Sequence, residues 1–139
     1  MKVKGYALYP IGIVRSEIRE PMPPERFKNR TSIIAIDESY REALEGITKG
    51  KKVLVLFIFH RSHGFSVKVH PKGEKGRPLK GLFSTCSPSR PNPVGATVVE
   101  VIEKRGCLLT VKGLDAIDET PVIDIKPVHI DEQEYERGR

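Results

Sequence analysis

Residues 52–60, KVLVLFIFH, limit the architecture more than any other stretch of the chain. Their β-branched and aromatic side chains favour a strand over a helix. Apolar residues occupy successive positions, so both faces of that strand are apolar. Such a strand needs covering on each side and is expected at the centre of a sheet. It stops abruptly at His60 and Arg61. The apolar run within it, 53–59, is seven residues long, too short to span a bilayer.

Around this strand, proline and glycine cut the chain into short pieces. Alternation and β-branched content predict further strands at 6–15, 31–36, 65–70, 81–85, 96–103, 107–111 and 121–125. In the first of these, Pro10 marks an edge or a bend. One short helix is expected where Ser39 and Glu42 fit a capping box. Tyr40, Ala43, Leu44 and Ile47 follow at helical spacing, and Gly46 stands at the stop. Residues 16–30 contain Pro21, Pro23 and Pro24 and read as a long irregular loop of the kind that carries function. Residues 71–80, PKGEKGRPLK, read as a Gly/Pro/Lys loop.

Seven or eight short strands that do not alternate with helices argue against a parallel βαβ sheet. The expected fold is all-β, a small, mostly antiparallel, closed or partly open β-barrel with one short helix. At 139 residues the chain suits one domain. That domain is expected over 1–130, with 131–139 as a charged tail.

The composition excludes several functions. There is no glycine-rich dinucleotide fingerprint, phosphate-binding P-loop or H-E-x-x-H pattern. Cys86 and Cys107 have no metal or disulfide spacing and are expected as free thiols. His60 and His63 lack further ligands, so no metal centre is expected. No secretory leader is legible at the start of the sequence, and a cytoplasmic location without membrane attachment is expected. The net charge of +6 is unevenly placed. Residues 60–90 hold seven Lys and Arg against Glu74 alone, an excess that equals the whole chain's. From charge alone, a polyanion partner such as nucleic acid and a merely solvated face remain equal readings.

Three segments carry more polar detail than a connector requires. The first is FIFHR, where His60 is the side chain best suited to move a proton near neutral pH. The second is residues 83–95, FSTCSPSRPNPVG, in which three prolines stiffen the backbone and preset Arg90 and Asn92 as donors. The third is residues 113–127, GLDAIDETPVIDIKP, where Asp115, Asp118, Glu119 and Asp124 gather four carboxylates within ten residues. Such a group suits a ribose, an amine or a cationic centre, or solvated turns.

The second and third segments, with PIGIVRS near the start and FIFHR in the middle, resemble the TrmO-type family, also called YaeB-like or TsaA-like. The resemblance covers about residues 6 to 128, and RPNP followed by TPV-x-DIKP is its most specific part. It implies an enzyme of the S-adenosylmethionine-dependent tRNA methyltransferases, acting on N6 of threonylcarbamoyladenosine next to the anticodon. It also implies a β-barrel, tRNA as partner, and a homodimer with the cofactor near the subunit interface. By the same resemblance the cofactor-binding residues are His60, Arg61, Cys86, Ala96 and the turn Asp118, Glu119, Thr120 and Pro121. Pro24, Glu25 and Arg26 are a looser match. His60 is the expected catalytic base. Arg90 and Asn92, with Lys72, Lys75 and Arg77 of the basic loop, are expected to meet substrate. The chain departs from the family pattern at Cys86, where relatives carry arginine, and at Glu119, where they carry glycine. A non-catalytic nucleic-acid-binding barrel and a small-molecule methyltransferase are the alternatives.

Overall fold

The computed structural model describes residues 3–128. The charged tail 131–139 lies outside the described residues. Eight strands form: β1 Gly12–Arg15, β2 Thr31–Ile36, β3 Lys52–Ile58, β4 Lys68–Val69, β5 Lys80–Gly81, β6 Val94–Arg105, β7 Leu108–Lys112 and β8 Pro121–Pro127. Six of them close into a barrel in the order β1-β2-β7-β6-β3-β8. Every pairing is antiparallel, including β1 with β8, which completes the ring. Closure leaves this sheet without an edge. The short β4–β5 pair stands apart from it.

β3 takes the central place expected of it, between β6 and β8. Its alternate residues Val53, Val55 and Phe57 are buried, and they meet Val14, Ile34, Val101 and Leu109 in the barrel core. The opposite set, Leu54, Leu56 and Ile58, is half-buried on the outside. A barrel this small is filled by side chains, and it needs one residue without a side chain where two rings crowd together. That residue is Gly95, opposite Phe57 in the β3–β6 ladder.

Several boundaries differ from the sequence expectation. The first strand begins at Gly12, not at residue 6, and Tyr6, Leu8 and Tyr9 are exposed. Pro10 has no N–H to give a ladder and marks the bend. The strand expected at 65–70 pairs only over Lys68–Val69. That expected at 81–85 shrinks to Lys80–Gly81 and passes into a 3-10 turn, Leu82–Ser84. The short helix is present over Glu38–Leu44 but is of the 3-10 type. Its cap is Asp37, not Ser39: Asp37 Oδ1 accepts from the Ser39 amide at 2.9 Å and from the Ser39 hydroxyl at 2.5 Å. The Asp37 amide donates to the Ile11 carbonyl at 2.8 Å, which holds Asp37 extended, and the helix starts at Glu38, two residues earlier than a Ser39 cap would start it. The two Ser39 bonds hold the Asp37 carboxyl below its ordinary value. This cap is therefore complete above the usual carboxylate range and is lost as pH falls through the lowered value. Gly46 ends the helix as expected, at φ +91°.

Candidate functional site

Four of the segments singled out in the sequence meet around one cavity, and the first of them forms its roof. The proline-rich loop 16–30 folds back through a 3-10 turn, Pro24–Arg26. It is anchored by Phe27, only 3% exposed. Arg61 pins the same loop, its Nη1 donating to the Arg19 carbonyl and to Glu20 Oε2, both at 3.0 Å. Arg61 and Glu20 are both half or more exposed, so this pair fixes geometry more than it adds stability.

Beneath the roof lies a cavity of about 230 Å³, mostly apolar in lining. Phe57 and Phe59 form its floor in an edge-to-face pair, with centroids 5.3 Å apart. Pro21, Met22 and Phe27 close one side, while Cys86 and Pro88 close another. The polar groups are few: His60, Arg61 and Ser62 just past the end of β3, Thr120, and Asp115. A mostly apolar concavity with a few convergent polar groups is the usual form of a small-molecule site. Asp115 accepts a short hydrogen bond from the Thr97 hydroxyl, which aims it from β6. His60 is exposed at the rim, and neither ring nitrogen has a hydrogen-bond partner among the described residues.

Of the residues expected at the cofactor, the cavity gathers Pro24, His60, Arg61, Cys86 and Thr120. Glu25 faces a neighbouring groove of about 530 Å³ with Lys72, Lys80 and Ser87. This groove meets the cavity at their shared residues Pro24 and Cys86. Arg26 and Asp118 line a third cleft, wider and more open, with Arg15, Arg30 and Ser32. That cleft is larger, at about 860 Å³, but it lacks the enclosing aromatic wall. Asp118 is also occupied structurally, since its Oδ1 accepts from the Ser16 amide at 3.0 Å. Ala96 is exposed on the outside of the barrel, because it alternates with inward-facing Gly95 and Thr97. Pro121 begins β8 and pairs with Ile13.

The residues expected to meet substrate are dispersed. Lys72 lines the groove. Arg77 is paired with Glu74 at 2.6 Å and Lys75 is exposed. Arg90 Nη1 donates to the Thr85 and Ser87 carbonyls at 2.8 and 3.1 Å, bracing its own loop. Asn92 is exposed, and its carbonyl accepts from the Val94 amide. Among the described residues, no three His, Cys, Asp or Glu side chains group as metal ligands. No helix among them is long and apolar enough to cross a membrane.

Sequence reasoning marked Asp115 only as one of four carboxylates and did not place Met22, Phe27 or Phe59 at the site. Their signals were present: a proline-rich loop longer than a connector, and aromatic residues ending the central strand. Both cysteines are free as expected, with Cys86 exposed and Cys107 buried. Burial pushes the Cys107 thiol up, and the neighbouring Glu38 adds to this.

Glu119 adopts φ +68°, in the left-handed region. Its amide donates to the Val14 carbonyl at 2.8 Å, which holds the turn against β1. A side chain there costs about 1–2 kcal/mol, and glycine returns roughly half of that gain as unfolded-chain entropy. Glu119→Gly is thus expected to stabilise the fold by about 0.5–1 kcal/mol. In a thermal melt this is a rise of roughly 2–5 °C. An unchanged or lower midpoint would show that the turn draws on the carboxylate.

The comparisons with known proteins agree with this fold. Residues 14–132 match the family described as tRNA-methyltransferase O N-terminal domain, and the chain belongs to that family. It is 41% identical over 125 residues to a probable S-adenosyl-L-methionine-binding protein of Methanothermobacter thermautotrophicus, covering 88% of this chain and 89% of the relative. It is 33% identical over 129 residues to the tRNA (adenine(37)-N6)-methyltransferase of Escherichia coli, covering 84% of this chain but 55% of that protein. The crystal structure of TrmO from Pseudomonas aeruginosa superposes with a TM-score of 0.73 at 29% identity, over 92% of this chain and 58% of that one. The chain thus spans nearly the whole of the archaeal relative and little more than half of the two bacterial ones.

Proposed function

We propose that the chain is an S-adenosyl-L-methionine-dependent methyltransferase acting on N6 of threonylcarbamoyladenosine beside a tRNA anticodon. The observation that carries this reading is the cavity, where residues matched to the family pattern from four separate segments converge. Its lining fits the cofactor. The Phe57–Phe59 wall and Met22 suit an adenine ring, Asp115 suits ribose hydroxyls or a sulfonium charge, and Arg61 suits a carboxylate. Pro24, Cys86 and Thr120 complete the enclosure, and Glu25 lines the adjoining groove. The turn Asp118–Pro121 holds Thr120 in place, through Thr120 Oγ1 donating to the Ile117 carbonyl at 2.7 Å. Arg26 lines the adjacent open cleft rather than the cavity.

When bound, this cofactor supplies an electrophilic methyl group. The chain supplies orientation, which can be worth about 7–11 kcal/mol of the barrier, and a place for the proton. His60, unpartnered at the rim, takes the proton that the target nitrogen gives up. Lys72 on the groove wall, with Lys75 and Arg77 of the same loop, meets tRNA phosphates, Arg77 by exchanging Glu74 for a phosphate. Asn92 and Arg90 shape the loop between groove and cavity.

A homodimer is part of the reading, and the outer face of β3 and β6 supports it. Leu54, Leu56 and Ile58 are half-buried there beside Ala96, and Val98 is 49% exposed. A second copy on this face would cover apolar surface and bring Ala96 to an interface. The same reading places the protein in the cytoplasm, with its tRNA.

Titration calorimetry with S-adenosyl-L-methionine, followed by methyl transfer to modified tRNA, tests the proposal. Binding heat, tRNA-dependent transfer and protection of Cys86 from iodoacetamide by the cofactor are expected, with Cys107 unlabelled throughout because it is buried. Absence of binding heat, with Cys86 unprotected, would favour a nucleic-acid-binding barrel without catalysis. Transfer that is independent of tRNA and insensitive to salt would point to a small-molecule acceptor, since phosphate contacts weaken with salt.

A further inference from the structure

Phe83 is 81% exposed, although it sits within a tightly bonded segment. It occupies the middle of the 3-10 turn Leu82–Ser84, whose first residue Leu82 is buried. The Ser84 hydroxyl donates to the Gly81 carbonyl at 2.8 Å, and the Thr85 amide and hydroxyl both donate to the Leu82 carbonyl at 3.0 and 2.7 Å. The ring is therefore displayed on a fixed backbone and is not left out by a loose one.

Arg90 adds a second element. Its guanidinium is tied to the Thr85 and Ser87 carbonyls, and its Cζ stands 5.8 Å from the Phe83 ring centroid. A cation at that distance over an aromatic face is attracted to it. One side of the ring thus has a fixed partner, and the ring keeps most of its surface open. The neighbouring strands carry Lys68 and Lys80, and the groove below carries Lys72. None of these three lysines is in an ion pair among the described residues. The same groove reaches the cavity through Cys86, three residues beyond Phe83.

An open aromatic ring backed by arginine, next to unpaired lysines, has the composition of a surface for unpaired nucleic acid. Lysines track the phosphates while the ring takes a base face. We propose that Phe83, held by Arg90, is a stacking platform for an unpaired base of the RNA, adjacent to the nucleotide presented at the cavity. The inference rests on the tRNA reading above and assigns to Phe83 a positioning role within it.

Binding of an anticodon stem-loop RNA to the full chain, measured over a series of salt concentrations, tests it. Phe83→Ala is expected to weaken RNA binding about 5- to 150-fold. The slope of log K against log salt should not change, because no phosphate contact is removed. Affinity for S-adenosyl-L-methionine and the melting midpoint should stay at wild-type values. Phe83→Trp should restore RNA binding, and its fluorescence should be quenched when RNA is added. Wild-type RNA affinity in Phe83→Ala overturns the assignment. So does a fall in sedimentation coefficient, which would give the ring to a contact between copies. These outcomes differ from failure of the tRNA reading itself, in which the unaltered protein binds no RNA at any salt concentration.

Discussion

His60→Ala is expected to lower methyl transfer to modified tRNA by about 10²–10⁴-fold at saturating cofactor, the range that a positioned general base contributes, beyond any loss of cofactor affinity from its place in the cavity lining. The backbone around His60 is fixed. β3 ends at Ile58, the Phe59 amide donates to the Pro93 carbonyl at 2.8 Å, and the Ser62 amide donates to the Phe59 carbonyl at 3.1 Å. That turn carries His60 to the cavity rim while its imidazole stays exposed and unpaired among the described residues. A base that must take a proton from substrate and release it to water needs both properties. The proposed acceptor also needs one: its nitrogen would lie between an adenine ring and a carbonyl, both of which draw on the lone pair, and loss of the proton makes it a stronger nucleophile. Single-turnover rates with saturating cofactor separate this step from binding. Turnover close to that of the unaltered protein would remove His60 from the proton path and leave positioning as the whole of the catalysis.

Gly95→Ala is the second substitution with a large expected effect, and it acts on fold and site together. A Cβ at Gly95 would lie 2.5 Å from two ring carbons of Phe57 and 2.9 Å from Cζ of Phe59. Phe57 is only 1% exposed and cannot swing into solvent. Overpacking of this kind costs about 1–3 kcal/mol. For a chain of this size the melting midpoint should fall by roughly 3–15 °C. Because both rings floor the cavity, cofactor affinity should fall as well. Phe57→Leu in the Gly95→Ala background frees space at the ring position, so the double variant should regain part of the lost stability. A Gly95→Ala protein with unaltered midpoint and affinity would mean that the ring pair has room the structure does not show. The glycine of the RPNPVG run thus has a steric explanation, close approach of an aromatic ring to backbone.

Much of this was legible in the chain, for identifiable reasons. The short apolar segments and the lack of alternating helices pointed to an antiparallel barrel, and β3 was placed centrally from its two apolar faces. These are local properties: side-chain branching and spacing act within a few residues. The ends of elements were less legible. Tyr6, Leu8 and Tyr9 have the composition of a strand, yet pairing starts at Gly12, where a backbone carbonyl of β2 lies so near that a Cβ would be 2.5 Å from it. Ser39 and Glu42 have the spacing of a capping box, yet Asp37 caps the helix because a bond to Ile11 holds it extended.

The candidate site divides in the same way. His60, Arg61, Cys86 and Thr120 could be chosen from short stretches of sequence, and the structure brings them to one cavity. Asp115 could not be separated from Asp118 and Asp124 by sequence, since all three are carboxylates in one acidic run. The structure separates them. Asp115 is aimed inward by Thr97, Asp118 is tied to the Ser16 amide, and Asp124 pairs with Lys126 at 2.8 Å on the outside. Likewise, Arg77 and Arg90 count as basic residues in the sequence, but Glu74 and two loop carbonyls occupy them in the fold.

By itself, the order of residues determined the strands, the stiff proline loops and the places where charge concentrates, because each depends on neighbours along the chain. Only the tertiary structure decided which carboxylate enters the cavity, which cations stay unpaired, and that Phe83 stands open against Arg90. Those outcomes depend on closure of the barrel, which brings residues distant in sequence within hydrogen-bonding reach and spends some of their polar groups on one another.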